Sequence, residues 1–118
     1  EDGQVLDLGK HKLVWQSTPH LPHGWECGFF YDETTGTLFC GDLFTQPGDV
    51  HEPVTSGDIL TPSEEFRRKE DYYSYTREAP RLIEKLAALK PKLLACMHGS
   101  AWAGDGAMML RKLGAAFA

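Results

Sequence analysis

Three segments of this chain end a strand-forming run on a histidine or an aspartate: Thr18-Pro-His-Leu-Pro-His-Gly-Trp25, the hairpin end Phe39-Cys-Gly-Asp42, and Cys96-Met-His98-Gly-Ser100. A strand end is where a side chain leaves the ladder and meets side chains from neighbouring strands at one edge of a sheet. A fold that uses all of them must bring distant stretches of chain side by side. Imidazole and carboxylate are ligand types that zinc, iron and manganese share, so the pattern points to part of a metal site. Taken singly each signal is weak. His23, between Pro22 and Gly24, is equally compatible with solvent, Asp42 after Gly41 with a turn, and His98 after an apolar run with a hydrogen-bonded core residue. The joint placement carries the reading.

Periodicity and chain breakers supply the frame. Val5-Leu-Asp-Leu8 reads as a short strand turned at Gly9, and Lys12-Leu-Val-Trp-Gln16 as a strand stopped by Thr18-Pro19. Cys27-Gly-Phe-Phe-Tyr31 and Thr37-Leu-Phe-Cys40 flank Asp32-Glu-Thr-Thr-Gly36, a hairpin with Gly36 at a positive-φ position. Residues 45–61 read as an irregular loop. A helix starts at Thr61-Pro62, with Glu64 and Glu65 near its positive end, and is expected to continue through Tyr72–Tyr75. A second helix spans Ala79 to Leu89 with Leu82, Ile83, Leu86 and Leu89 on one face, and Pro91 closes it. Lys92–Met97 reads as a buried strand. Asp105 caps a last helix whose apolar face carries Met108, Met109, Leu113 and Phe117. The whole is a single α+β domain over residues 1–118.

Composition narrows the partners. A formal charge of -5, with no long run among the Lys and Arg residues, argues against nucleic acid. No apolar stretch approaches the roughly 20 residues that span a bilayer. Glu1-Asp-Gly-Gln4 shows no charged-then-apolar leader, and the lack of an initiator Met suits a trimmed end. Cys27, Cys40 and Cys96, an odd set without CxxC spacing, read as reduced thiols. The expectation is a soluble, cytoplasmic protein.

With these segments in view, the chain resembles the metallo-β-lactamase superfamily. Thr18-Pro19 with His23, Thr37-Leu-Phe-Cys-Gly-Asp42-Leu-Phe44 and Met97-His98-Gly-Ser100 look like the C-terminal motifs of that family. The Pro-His-Gly-Trp-Glu26 and Phe-Cys-Gly-Asp-Leu-Phe-Thr45 segments are most similar to its oxygen-binding di-iron, flavodiiron-like branch. The resemblance implies one αβ half of a four-layer αβ/βα sandwich, a mostly antiparallel sheet with helices on one face. It implies two divalent metal ions, Fe or Zn, with His23 on one, His98 on the other and Asp42 bridging them. His20 is a rival for the first role; spacing to Asp42 favours His23 and leaves His20 as a pocket residue. Trp25 and Glu26 are candidates to line the site, and Trp25 is equally a candidate for the core.

The family's remaining ligands come from an upstream His-x-His-x-Asp-His or His-x-Glu-x-Asp motif, and neither occurs in this sequence. His11 and His51 stand in no such context. The resemblance therefore implies a C-terminal half whose site is completed by an N-terminal half or a second copy of the chain. Two classes of function follow. One is the metal-binding portion of a di-iron oxidoreductase or a zinc hydrolase, inactive alone and with no catalytic residue assigned. The other is a structural, self-associating module.

Overall fold

The computed structural model describes residues 1–117. Seven strands form one sheet in the order β1 (Val5–Asp7), β2 (Lys12–Ser17), β3 (Gly28–Asp32), β4 (Thr37–Gly41), β6 (Leu93–Cys96), β7 (Ala101–Ala103) and β5 (Val54–Thr55). The helices are α1 (Leu60–Glu70), α2 (Ala79–Ala87) and α3 (Gly106–Ala116). From β1 to β4 the chain runs as an antiparallel meander. β4 and β6 are parallel, β6 and β7 antiparallel, and β7 and β5 parallel. A parallel pair needs a crossover, and α1 and α2 lie in the one between β4 and β6.

Because side chains alternate across a strand, each strand divides its residues between two faces. Phe29, Leu38, Cys40, Leu94 and Trp102 join Leu82, Ile83 and Leu86 of α2 and Met109, Leu110 and Leu113 of α3 in one buried core. The other sheet face carries Leu13, Trp15 and Phe30, all half-buried, and Phe39, which is 46% exposed. Trp15 and Phe30 are register partners with rings edge-on at 5.0 Å. The Trp15 ring lies so close over Gly28 that a Cβ there would meet it at 2.2 Å.

The β3–β4 hairpin is locked as its sequence suggests. Gly36 has φ 70° and its N–H donates to the Asp32 carbonyl at 2.9 Å. The buried Asp32 carboxylate accepts from the Thr34 N–H and the Thr35 hydroxyl and lies 2.7 Å from His11 Nδ1. Burial alone would raise the Asp32 pKa, but these partners outweigh it and hold the carboxyl below its ordinary range. His11 is thereby a hairpin partner rather than a metal ligand.

Several element boundaries differ from expectation. α1 begins at Leu60, where the Thr61 N–H donates to Asp58 Oδ1 at 3.0 Å. The acid serving its start is thus Asp58, while the buried Glu64 pairs with Arg67. α1 also stops at Glu70, because Asp71 turns left-handed with φ 49° and donates its N–H to the Arg67 carbonyl. Tyr72–Tyr75 therefore belong to a connector, which buries Tyr73 between the rings of Tyr72 and Phe117. α2 ends at Ala87 rather than Leu89, before Lys90 adopts φ 52°. Asp105 caps α3 as expected, accepting from the Met108 N–H at 3.0 Å. Met108 itself points outward, and Leu110 takes the core place assigned to it. β5 and β7 went unread because two or three residues are too few to show a period. No helix among the described residues is long and apolar enough to cross a membrane.

Candidate metal centre

Topology, more than local sequence, assembles the site. β4 and β6 are parallel neighbours with Gly41 opposite Cys96, so their C-terminal ends coincide and deliver Asp42 and His98 together. The Met97 N–H donates to the Gly41 carbonyl at 3.1 Å and fixes that alignment. β3 runs antiparallel to β4, so the loop entering β3, which carries His23, arrives at the same end of the sheet.

The Asp42 carboxylate stands between the two imidazoles. His23 Nε2 lies 2.7 Å from Oδ2, and His98 Nε2 lies 3.4 Å from Oδ1. The indole of Trp25 stacks on the His23 ring at 4.5 Å and 16° while remaining 62% exposed. Trp25 therefore packs on His23 from the solvent side and is not core. His20 is exposed and does not line the cleft; His23 is the histidine that faces Asp42. Glu26 is exposed and likewise outside the cleft lining. Among the described residues no group of three or more His, Cys, Asp or Glu side chains surrounds a single point where a metal ion would sit. The arrangement places one imidazole nitrogen at each carboxylate oxygen.

Main-chain geometry around these residues is closely tied down. The Asp42 carbonyl accepts from the Thr45 hydroxyl at 2.7 Å and the Tyr72 hydroxyl at 3.2 Å. Burial raises the Tyr72 pKa, so its hydroxyl stays a donor at neutral pH. The buried Gln46 joins the loops after β4 and β6. Its main-chain N–H reaches the His98 carbonyl at 2.9 Å, Oε1 accepts from the Ser100 N–H, and Nε2 donates to the carbonyls of Phe44 and Ser100. A cleft of about 600 Å³ opens here, with Glu70, Tyr72 and Phe66 of α1 and its connector beside His23, Asp42 and His98. The Cys40 thiol, in the strand leading to Asp42, is pushed well up by the neighbouring Cys96 thiol and by burial. All three cysteines are free.

Sequence reasoning missed Thr45, Gln46, Tyr72 and Glu70. Each is a polar or aromatic residue in a stretch read as loop or helix, and only the tertiary fold brings it to the site.

No family model matches the sequence, and no curated protein matches it. Solved structures do match. The flavodiiron protein from Giardia intestinalis superposes with a TM-score of 0.78 at 18% identity, over 99% of this chain and 29% of that one. The chemotaxis sensor ODP, in a structure of its peroxy diiron species, gives 0.74 at 18% identity, over 95% of this chain and 48% of that one. Rubredoxin oxygen:oxidoreductase from Desulfovibrio gigas gives 0.71 at 20% identity, over 98% of this chain and 29% of that one. This chain thus spans less than half the length of each. The chain has the fold of one αβ half of a metallo-β-lactamase-type protein, in the form found in flavodiiron proteins.

Proposed function

We propose that His23, Asp42 and His98 are this chain's share of a dinuclear, di-iron-type centre, completed by residues outside the chain and used in oxygen or related redox chemistry. The observation that carries this reading is the Asp42 carboxylate with one imidazole Nε2 at each oxygen, 2.7 and 3.4 Å away. A carboxylate so flanked fits a bridging ligand, and neutral imidazole nitrogens fit the terminal ones. Iron in such a centre would supply electrons for dioxygen, whereas zinc would supply an activated water for hydrolysis. Iron is favoured because the solved structures with this fold include flavodiiron and diiron proteins and an oxygen:oxidoreductase. Asp42 lies against both Nε2 atoms, and each imidazole would hold an ion through that nitrogen in its neutral form. Trp25 restricts the ring plane of His23.

One imidazole and a shared carboxylate per ion fall short of the three protein ligands typical of a catalytic site. The chain alone is therefore expected to retain well under two equivalents of iron or zinc after dialysis, with negligible oxygen reduction or hydrolysis. Two retained equivalents with robust turnover would show that nothing outside the chain is needed.

The sheet face bearing Trp15, Phe30 and Phe39 supports a second reading, a module whose role is association. Such a face is unfavourable in water, and the same N-terminal half that completes the site, or a second copy, would cover it. Sedimentation of the chain alone should show concentration-dependent self-association, reduced by Phe39→Glu. A monodisperse monomer across the micromolar range would remove this reading.

A further inference from the structure

The connector between α1 and α2 touches both loops that carry Asp42 and His23. From it the Tyr72 hydroxyl reaches the Asp42 carbonyl, as described above. Two residues on, Ser74 bonds the other loop twice: its N–H donates to the Pro22 carbonyl at 2.7 Å and its hydroxyl donates to the His20 carbonyl. His20 holds a left-handed conformation, φ 66°, which carries a cost for a residue with a Cβ. Inside the loop, the Thr18 hydroxyl and N–H, the Leu21 N–H and the His20 N–H close on one another and on Trp25 and Cys27. The carbonyls of His20 and Pro22 take no part in that closure, and Ser74 is the donor to both. The Pro22 carbonyl belongs to the peptide that leads into His23, and the His20 carbonyl lies two peptides earlier in the same turn, so a shift of this stretch moves Nε2 relative to Asp42.

We propose that Ser74 is a positioning residue for His23, setting the imidazole against Asp42 by gripping the carbonyls of His20 and Pro22. This rests on the reading of His23 and Asp42 as ligands only in its consequence for metal, since the grip itself belongs to the metal-free chain. Ser74 is only half-buried and outside the hydrophobic core, so loss of its hydroxyl should change binding more than stability.

The test compares wild type, Ser74→Ala and the near-isosteric pair Ser74→Thr and Ser74→Val. The readouts are melting temperature, NMR signals of the His23 ring without metal, and affinity for Zn²⁺ alone. Ser74→Ala and Ser74→Val should broaden and average the His23 ring signals, leave those of His11 and His51 in place, and weaken Zn²⁺ roughly five- to tenfold, the scale of one hydrogen bond. Ser74→Thr should restore both. The inference is overturned if the His23 signals are unchanged in Ser74→Ala and Ser74→Val, or if those variants bind Zn²⁺ as tightly as a wild type that does bind it. A wild type that takes no Zn²⁺, with His23 loosened in Ser74→Ala, would uphold the positioning and count only against metal binding by the chain alone.

Discussion

Replacing Asp42 with alanine is expected to empty both metal positions together, where replacing either histidine empties one. The carboxylate lies against both imidazoles, at 2.7 Å from His23 and 3.4 Å from His98. If Asp42 bridges as proposed, its removal would take a ligand from each ion and leave the two imidazole nitrogens facing a gap. The loss of affinity should exceed the roughly 10–100-fold seen when an outer partner of a metal ligand is removed. His23→Ala should abolish one equivalent and leave the second, because the remaining ion would still have Asp42 and His98. The double substitution His23→Ala with His98→Ala should then resemble Asp42→Ala alone, since residues that share one centre do not act additively. Stability should barely move. The Thr45 and Tyr72 hydroxyls bond the main-chain carbonyl of Asp42, not its carboxylate, and both bonds survive the substitution. Zn²⁺ titration calorimetry and anaerobic Fe²⁺ titration on each variant measure the effect. An Asp42→Ala chain whose affinity stays within a few-fold of wild type would rule out a bridging role.

The residues that converge here were legible because strand ends are visible in a sequence. Thr18-Pro19 stops β2, Gly41 at φ 51° ends β4, and Gly99 at φ 103° turns the chain after β6. Each of these breaks sits one to four residues from a site residue. The hairpin, with Gly36 at positive φ and Asp32 binding back onto it, was equally plain, because its determinants lie within a few residues of one another. What could not be read is what depends on distant chain. The pairing of β7 with β6 and β5 has almost no local signature, since Ala101–Ala103 and Val54–Thr55 are strands only by virtue of their neighbours. The end of α1 failed for a related reason: nothing in Asp71-Tyr-Tyr-Ser74 forbids helix. Burial of Tyr73 and the bonds from Tyr72 and Ser74 to the two loops favour leaving it. His20 and His23 share similar surroundings in sequence, and the fold separates them by turning one outward and the other onto Asp42.

The largest effect on the fold and the site together is expected from Gln46, a residue with no motif around it. Its side chain is 4% exposed and bonds the Ser100 N–H, the Ser100 carbonyl and the Phe44 carbonyl, all between 3.1 and 3.2 Å. Truncation to alanine leaves a buried donor and two buried acceptors without partners, along with a cavity. At about 1–3 kcal/mol for each unsatisfied group, and with partial relief by entering water, a loss of about 3–5 kcal/mol is expected. Gly99 approaches the same clamp from the other side. An added Cβ would stand 2.6 Å from Gln46 Cβ, at a φ of 103° that L side chains rarely adopt. Gly99→Ala should therefore destabilise by about 2–4 kcal/mol, through backbone strain and displacement of Gln46. Because the Gln46 side chain holds Ser100, two residues after His98, both variants should move His98 more than His23. Chemical denaturation gives the stability, and the ring signals of the two histidines give the displacement. Asp42→Ala should lose metal with its fold intact, whereas Gln46→Ala should lose stability whether or not metal is offered. A Gln46→Ala chain within about 1 kcal/mol of wild type, with His98 unmoved, would mean that the pairing of β4 with β6 aligns Asp42 and His98 without help from the loop clamp.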